Sequence, residues 1–308
     1  MKNSLIPALK FEMAKVSFEV TSNDASFIEC LTDNYRNFLS NGSSDQAPDL
    51  KIEVTLERNQ KQQEISRMKN QDRWLANTVT TKFDFMGKTA EIKCDRQEKF
   101  FFACLPDFGK NINSDVFNSY VLPFALHEVI KIRGLFHYLI HAAAVAFAEE
   151  GYVFVGPSGS GKSTLIRLIL DDSNFNGQVL NDELIILSNT RDECLIYGTP
   201  YGDGLSREHQ GEPDKGFRVK AIFGLKQDNR VFLEKLNSAE AMRMLLSQTI
   251  PHLDLEHAEV REMPDFLKKA PLIAEDWLVE TFNLVKKIPC YNLHFSLDHP
   301  CWTVIKNS

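Results

Sequence analysis

The sequence predicts an α/β protein, with a smaller N-terminal α+β domain over residues 1–115 and a larger α/β core domain over residues 116–308. Three observations predict it. Residues 15–20 and 49–56 alternate apolar and polar side chains with the period of two expected of half-buried strands. Further on, the apolar run 152–155 leads through a glycine-rich segment into 165–170, whose composition suits a buried helix. Finally, 308 residues exceed the usual length of one domain, and a composition 43% hydrophobic and 25% charged can build a sizeable core.

In the first domain, 15–20 is a strand, and Asn23 and Asp24 cap a helix running to Phe38. A second strand follows at 49–56, then strands at 78–85, 90–93 and 100–104, separated by polar stretches at 41–46 and 58–72. These pieces predict a mostly antiparallel sheet with one or two helices and carry no chemical motif. Residues 115–138 have helical periodicity through Val121, Phe124, Ala125 and Val129, and read as the connection to the core.

The core begins with two apolar runs, 139–147 and 152–155, joined by Ala148, Glu149, Glu150 and Gly151. A short polar connector containing glycine predicts an antiparallel hairpin. A turn centred on Glu149–Glu150 or Glu150–Gly151 would place His141 opposite Ser158 or Ser160. Parallel, helix-linked neighbours are the rule in common nucleotide-binding sheets, so a hairpin at this point is distinctive. After the helix, 178–187 reads apolar, then acidic at Asp182 and Glu183, then apolar again. Next come a strand at 194–197, a polar stretch at 202–212, and two strands, 218–225 and 230–236, read as paired. A helix at 238–246 capped by Asn237, a helix at 277–286 and a last strand at 290–297 complete the chain.

The segment between 155 and 165 carries the chemistry. Gly156, Pro157, Ser158, Gly159, Ser160, Gly161, Lys162, Ser163 and Thr164 fill G-x-x-x-x-G-K-[ST] between a strand and a helix, the context this phosphate-binding loop needs. Glycines let backbone N–H groups approach phosphate oxygens, and a helix N-terminus adds partial positive charge. Lys162 can reach the β- and γ-phosphates, and the Ser163 hydroxyl can ligate Mg²⁺. Asp182, twenty residues on, can hold metal or accept a hydroxyl proton, although a polar turn between two strands is the other reading of Asp182 and Glu183. In the polar stretch, Arg207 could neutralise phosphate and Asp203 or Glu208 could supply a metal ligand; a solvated surface loop is the alternative.

The strand with His141, the hairpin, the loop and the acidic pair together resemble the catalytic domain of HPr kinase/phosphorylase and, more distantly, ATP-dependent phosphoenolpyruvate carboxykinase. The resemblance covers residues 139 to about 200, and more loosely 220–246 and 288–297. It implies a phosphoenolpyruvate carboxykinase-like P-loop core. It also implies that His141 is the active-site histidine, Lys162 the phosphate-binding lysine, Ser163 the Mg²⁺ ligand, and Asp182 the group that takes the proton from an acceptor serine. The chain departs from the family's Asp-Asp pair at Asn181. The family's further metal-binding glutamate after residue 200 and its downstream arginine-glycine signature have no match, so neither HPr as substrate nor the reverse phosphorylase reaction is implied.

The expected function is an ATP- and Mg²⁺-dependent kinase acting on a serine hydroxyl of an unidentified protein or peptide. The catalytic candidates are Asp182, His141 and Lys162, and Ser163 and Asp182 are the candidate metal ligands. A regulatory nucleotide-binding module with weak or no ATPase activity and a small-molecule hydroxyl kinase are the alternatives. A net charge of −7 argues against a general nucleic-acid partner. No apolar run reaches the roughly 18 residues of a membrane helix, the first residues lack a signal-peptide core, and the six scattered cysteines read as reduced thiols. A cytoplasmic protein without a membrane partner is therefore expected, with a homo-oligomer left open. The spacing of His252, His257, His294 and His299 suits packing or surface roles rather than metal binding.

Overall fold

Strands form where alternation or continuous apolarity demands burial, and they sort into two sheets. The computed structural model describes residues 7–39, 47–57, 78–95, 97–133, 136–190, 192–201, 215–249, 271–296 and 299–308. Two compact units divide at Gly134 and Leu135. The protein is mixed α/β, and no helix among the described residues is long and apolar enough to cross a membrane.

The first unit holds β1 (Ala8–Met13), β2 (Val16–Ser22), β3 (Leu50–Glu57), β4 (Thr78–Phe85), β5 (Lys88–Asp95) and β6 (Phe100–Pro106), in the order β1-β2-β3-β6-β5-β4. The sheet is mixed rather than mostly antiparallel, because β2 pairs parallel with β3 and β3 with β6. The helix α1 (Ala25–Asn34) supplies the crossover that parallel pairing of β2 and β3 requires. Asp24 caps α1 by accepting from the Ser26 and Phe27 N–H groups at 2.8 and 3.2 Å. The α-helix stops at Asn34, and a 3₁₀ turn (Arg36–Phe38) completes the predicted helical stretch. The β2 face turned to the core stacks Phe18 on Phe11 at 4.9 Å, with Tyr35 edge-on to Phe11 at 4.6 Å. Two further helices, α2 (Lys110–Val116) and α3 (Leu122–Arg133), belong to this unit and are joined by a π-helical turn at Phe117–Val121. Pro123 is the second residue of α3; it has no N–H to donate, and its ring would crowd the carbonyl of Ser119 in a regular helix.

The second unit contains β7 (Phe136–Phe147), β8 (Glu150–Val155), β9 (Gln178–Asn181), β10 (Leu184–Asn189), β11 (Cys194–Tyr197), β12 (Phe217–Gln227), β13 (Phe232–Lys235) and β14 (Cys290–Phe295). The order is β11-β10-β7-β8-β12-β14-β13, with β9 also on β7 and β11 also on β12. Its helices are α4 (Lys162–Leu170), α5 (Ser238–Leu246), α6 (Pro271–Lys287) and α7 (Trp302–Lys306). Alternate residues of β7 and β8 enter two different cores: Ala142, Ala144, Val153 and Val155 one, Ala143, Val145, Tyr152 and Phe154 the other. Burial on both faces explains why these strands read as continuous apolar runs. Trp302 of α7 is fully buried, with the rings of Phe147, Tyr152 and Phe175 5.3, 5.2 and 4.9 Å away.

Two expectations need correction. The turn between β7 and β8 is Ala148–Glu149, both at positive φ (50° and 68°), the two-residue form whose twist matches the strands. Glu150 and Gly151 are therefore strand residues, Phe147 pairs with Glu150 and Ala142 with Val155, and His141 comes level with Gly156 rather than with Ser158 or Ser160. Nor do β12 and β13 pair. The strand β14, with Cys290, Leu293 and Phe295 buried, lies between them, parallel to β12 and antiparallel to β13. The more polar β13, with Phe232, Glu234 and Lys235 exposed, takes the edge, where charge discourages further pairing.

Candidate functional site

The site lies where β8 ends. Its last residue, Val155, passes into the loop Gly156–Gly161, and α4 starts at Lys162. Gly161 has φ 99°, a left-handed conformation that favours glycine, and a Cβ there would come 2.8 Å from the Phe295 ring. Gly156 is held as closely: a Cβ would meet Ser160 Oγ at 2.5 Å. Pro157, Ser158 and Gly159 are exposed, whereas Ser160, Ser163 and Thr164 are half-buried. The Leu165 N–H donates to the Gly161 carbonyl at 2.8 Å, closing the first turn of α4. Ser160 Oγ is buried without a hydrogen-bond partner among the described residues.

Lys162 is 7% exposed and folds its ammonium over the loop, donating to the carbonyls of Gly156 (2.7 Å) and Pro157 (3.3 Å). Burial lowers its pKa from the ordinary lysine range, and the charges of Glu183 and Asp182 oppose that shift. Both carboxylates are thus near enough to act on this ammonium.

At His141, strand β7 has run one residue past the end of β8. Its backbone is held on both edges, by pairing with Leu184 of β10 and by an N–H bond to the Gln248 carbonyl at 2.9 Å. The imidazole Nε2 lies 3.4 Å from Glu183 Oε1. Burial lowers the His141 pKa, the Lys162 charge lowers it further, and Glu183 pulls the other way. The resulting cluster is Lys162, His141, Glu183 and Asp182 beside one glycine-rich loop.

Asn181 organises the acidic side of this cluster. It is fully buried at the end of β9. Its Oδ1 accepts from the N–H groups of Glu183 (2.7 Å) and Leu184 (2.9 Å), which fixes the bend carrying Asp182 and Glu183. Its Nδ2 donates to the carbonyls of Thr199 (2.9 Å) and Tyr201 (2.5 Å). An amide accepts on one side and donates on the other here; an ionised carboxylate has no donor. The departure at Asn181 is therefore a structural position with every polar atom in use.

The structure brings His141, Lys162, Ser163, Thr164 and the bend at Asp182 to one end of the sheet. Glu183, rather than Asp182, is the carboxylate in contact with His141, which the sequence reading missed although it noticed the acidic pair. Also missed were Gln227 and Asp228 after β12 and Phe295 of β14. They border a cavity of about 570 Å³ together with Gly161 and Thr164. Asp203, Arg207 and Glu208 lie outside the described residues.

Ser163, in the first turn of α4, and Asp182, in the bend after β9, carry oxygens of the kind Mg²⁺ takes. Among the described residues no group of three or more His, Cys, Asp or Glu is arranged to hold a metal ion. A site of one or two protein oxygens fits Mg²⁺, which usually keeps waters and takes phosphate oxygens as its other ligands.

No protein-family model matches this chain, and a comparison with curated proteins finds no match.

Proposed function

We propose that the protein is an ATP- and Mg²⁺-dependent kinase that transfers the γ-phosphoryl group to a serine hydroxyl of a protein or peptide. The finer fold assignment that goes with it is a phosphoenolpyruvate carboxykinase-like P-loop core of the HPr kinase type. One observation carries the reading. A hairpin-fed phosphate loop has a buried lysine, a histidine and two carboxylates gathered at its mouth, on the side of β7, β9 and β10. A purely structural loop has no need for a lysine ammonium out of solvent beside two acids.

In this reading the loop amides and Lys162 hold the β- and γ-phosphates, and Ser163 and Asp182 hold Mg²⁺, which supplies charge neutralisation on the phosphates. The bond from the γ-phosphorus to the β,γ-bridging oxygen breaks, a bond from the serine Oγ forms, and Asp182 accepts the serine proton. His141, 3.4 Å from Glu183, positions that carboxylate and the γ-phosphate.

A regulatory nucleotide-binding module is the second reading. It is favoured by Asn181, whose side chain is wholly committed to the bend and contributes no carboxylate to the site.

Asp182→Asn separates the readings. Asparagine keeps the shape but accepts no proton. With Asp182 as the base, ATP affinity stays within a few-fold while ATP hydrolysis and transfer to serine peptides fall about 10²–10⁴-fold. With Asp182 mainly a metal ligand, Mg²⁺-dependent ATP binding weakens as well. Equal rates in wild type and variant, both still binding ATP, would leave Asp182 a turn residue and put the regulatory module ahead of the kinase.

A further inference from the structure

The phosphate loop divides this end of the sheet into two unlike sides. Over β7, β9 and β10 stand His141, Asp182 and Glu183. Over β12 and β14, which run parallel to β8, lies the 570 Å³ cavity bordered by Gly161, Thr164, Gln227, Asp228 and Phe295. Its volume falls within the roughly 300–1,000 Å³ usual for small-molecule sites. It also lies beyond the carboxyl ends of parallel strands, where ligands of open α/β sheets bind.

The chemistry of this side differs from that of the loop. The described residues bordering the cavity are neutral apart from Asp228, a lining that does not favour further phosphate. At its edge Asp228 uses Oδ1 to accept from the Asn229 N–H at 2.7 Å and Oδ2 to accept from His294 Nδ1 at 3.0 Å. A carboxylate has about four lone-pair sites, which leaves capacity for hydroxyl donors. The His294 hydrogen bond also holds the Asp228 carboxyl below its ordinary pKa, so it stays an acceptor at neutral pH. His294 is itself fixed by stacking on Phe232 at 4.0 Å. The Phe295 ring, packed against Gly161, links this side to the loop.

We infer that the cavity is the nucleoside subsite of the nucleotide held by the loop, with Asp228 accepting the ribose hydroxyls, so that the site selects a ribonucleoside triphosphate over a bare polyphosphate or a dideoxynucleotide. The inference rests on the phosphate-loop reading above. It gives the phosphate chain a direction: the α-phosphate lies toward Thr164, and the γ-phosphate toward His141 and Asp182. Gln227, exposed at the end of β12, is the side chain placed to meet the base edge.

Isothermal calorimetry on the full chain with Mg²⁺ tests it, using ATP, 2′,3′-dideoxy-ATP and inorganic tripolyphosphate. The expected order is ATP tightest, with dideoxy-ATP about 10–100-fold weaker, the range for losing a hydrogen bond to a charged group, and tripolyphosphate weaker than both. In Asp228→Ala, ATP should fall to the dideoxy level while dideoxy-ATP and tripolyphosphate keep their wild-type affinities. That pattern assigns the loss to the ribose contact and not to a disturbed fold. Tripolyphosphate binding as tightly as ATP, or dideoxy-ATP matching ATP, would overturn the nucleoside subsite and leave the phosphate loop standing. Failure of all three ligands to bind would overturn the loop reading and this inference with it.

Discussion

Replacing Asn181 by aspartate should destabilise the second unit, and by more at pH 8 than at pH 5. The residue is fully buried, and its amide donates to the carbonyls of Thr199 and Tyr201 while its oxygen accepts from the N–H groups of Glu183 and Leu184. Aspartate keeps the acceptors and loses the donors. Losing the two donated hydrogen bonds costs about 0.5–1.5 kcal/mol each, and an uncompensated charge in such a place costs about 3–5 kcal/mol. These overlap, so the expected loss is about 3–5 kcal/mol, which for a unit of this size is a fall in Tm of roughly 6–20 °C. The pH dependence has a definite sign. Desolvation and the facing carbonyl oxygens raise the folded pKa of the new carboxyl above its unfolded value of about 3.9. Stability from such a group is greatest at low pH, where the neutral acid can donate one hydrogen bond, and is lost as pH rises through the folded pKa. Differential scanning calorimetry of both proteins at the two pH values measures the gap. Amide exchange along β10 then shows whether the loss is local. Equal Tm at pH 8, or a gap that narrows as pH rises, would refute the account of Asn181 as the organiser of the bend.

Two more expectations follow from the geometry. In the nucleotide-free protein, NMR titration of the His141 imidazole should give a pKa below 6.5; Lys162→Ala should raise it and Glu183→Gln lower it further. Because the folded value is depressed, the stability His141 contributes is complete above about pH 6.5 and is lost as pH falls from there through the folded value; a titration insensitive to Lys162 would contradict the placement. The turn Ala148–Glu149 holds two non-glycine residues at positive φ. Substituting Asn and Gly there should add about 1 kcal/mol and raise Tm by a few degrees. ATP affinity should be unchanged in the same thermal-shift series, and a lower Tm would count against the turn assignment.

Much of the second unit was legible because its signals are local. The strand, glycine-rich loop and helix around residues 156–161 are contiguous, and Asn237 with Glu240 forms the capping box that opens α5 where expected. The β7–β8 hairpin could be read from its two apolar runs, but not its register, since Ala-Glu is an unusual pair for a turn that favours Asn-Gly. The same cause hid β1: the turn to β2 is Ala14–Lys15, again at positive φ without glycine. What stayed illegible depends on pairings distant in sequence. Glu183 meets His141 only because β10 pairs with β7 at Leu184 and His141. Gln227 and Phe295 stand side by side only because β12 and β14 run parallel in that register. No spacing in the sequence announces either.

The neighbours of β8 are made at very different times. Its partner β7 precedes it by a two-residue turn, but β12, which covers its other edge from Glu150 to Val155, ends 72 residues after Val155. At typical ribosomal speeds that interval is roughly 4–15 s. During synthesis the stretch Tyr152-Val153-Phe154-Val155 is a strand with one edge open, without charge or proline, the kind of segment that pairs with other chains when left exposed. The β12 edge of β8 thus stays uncovered between the completion of the glycine-rich loop and the arrival of Phe217–Gln227. A truncation ending between these two points should be far less soluble than one ending after β12.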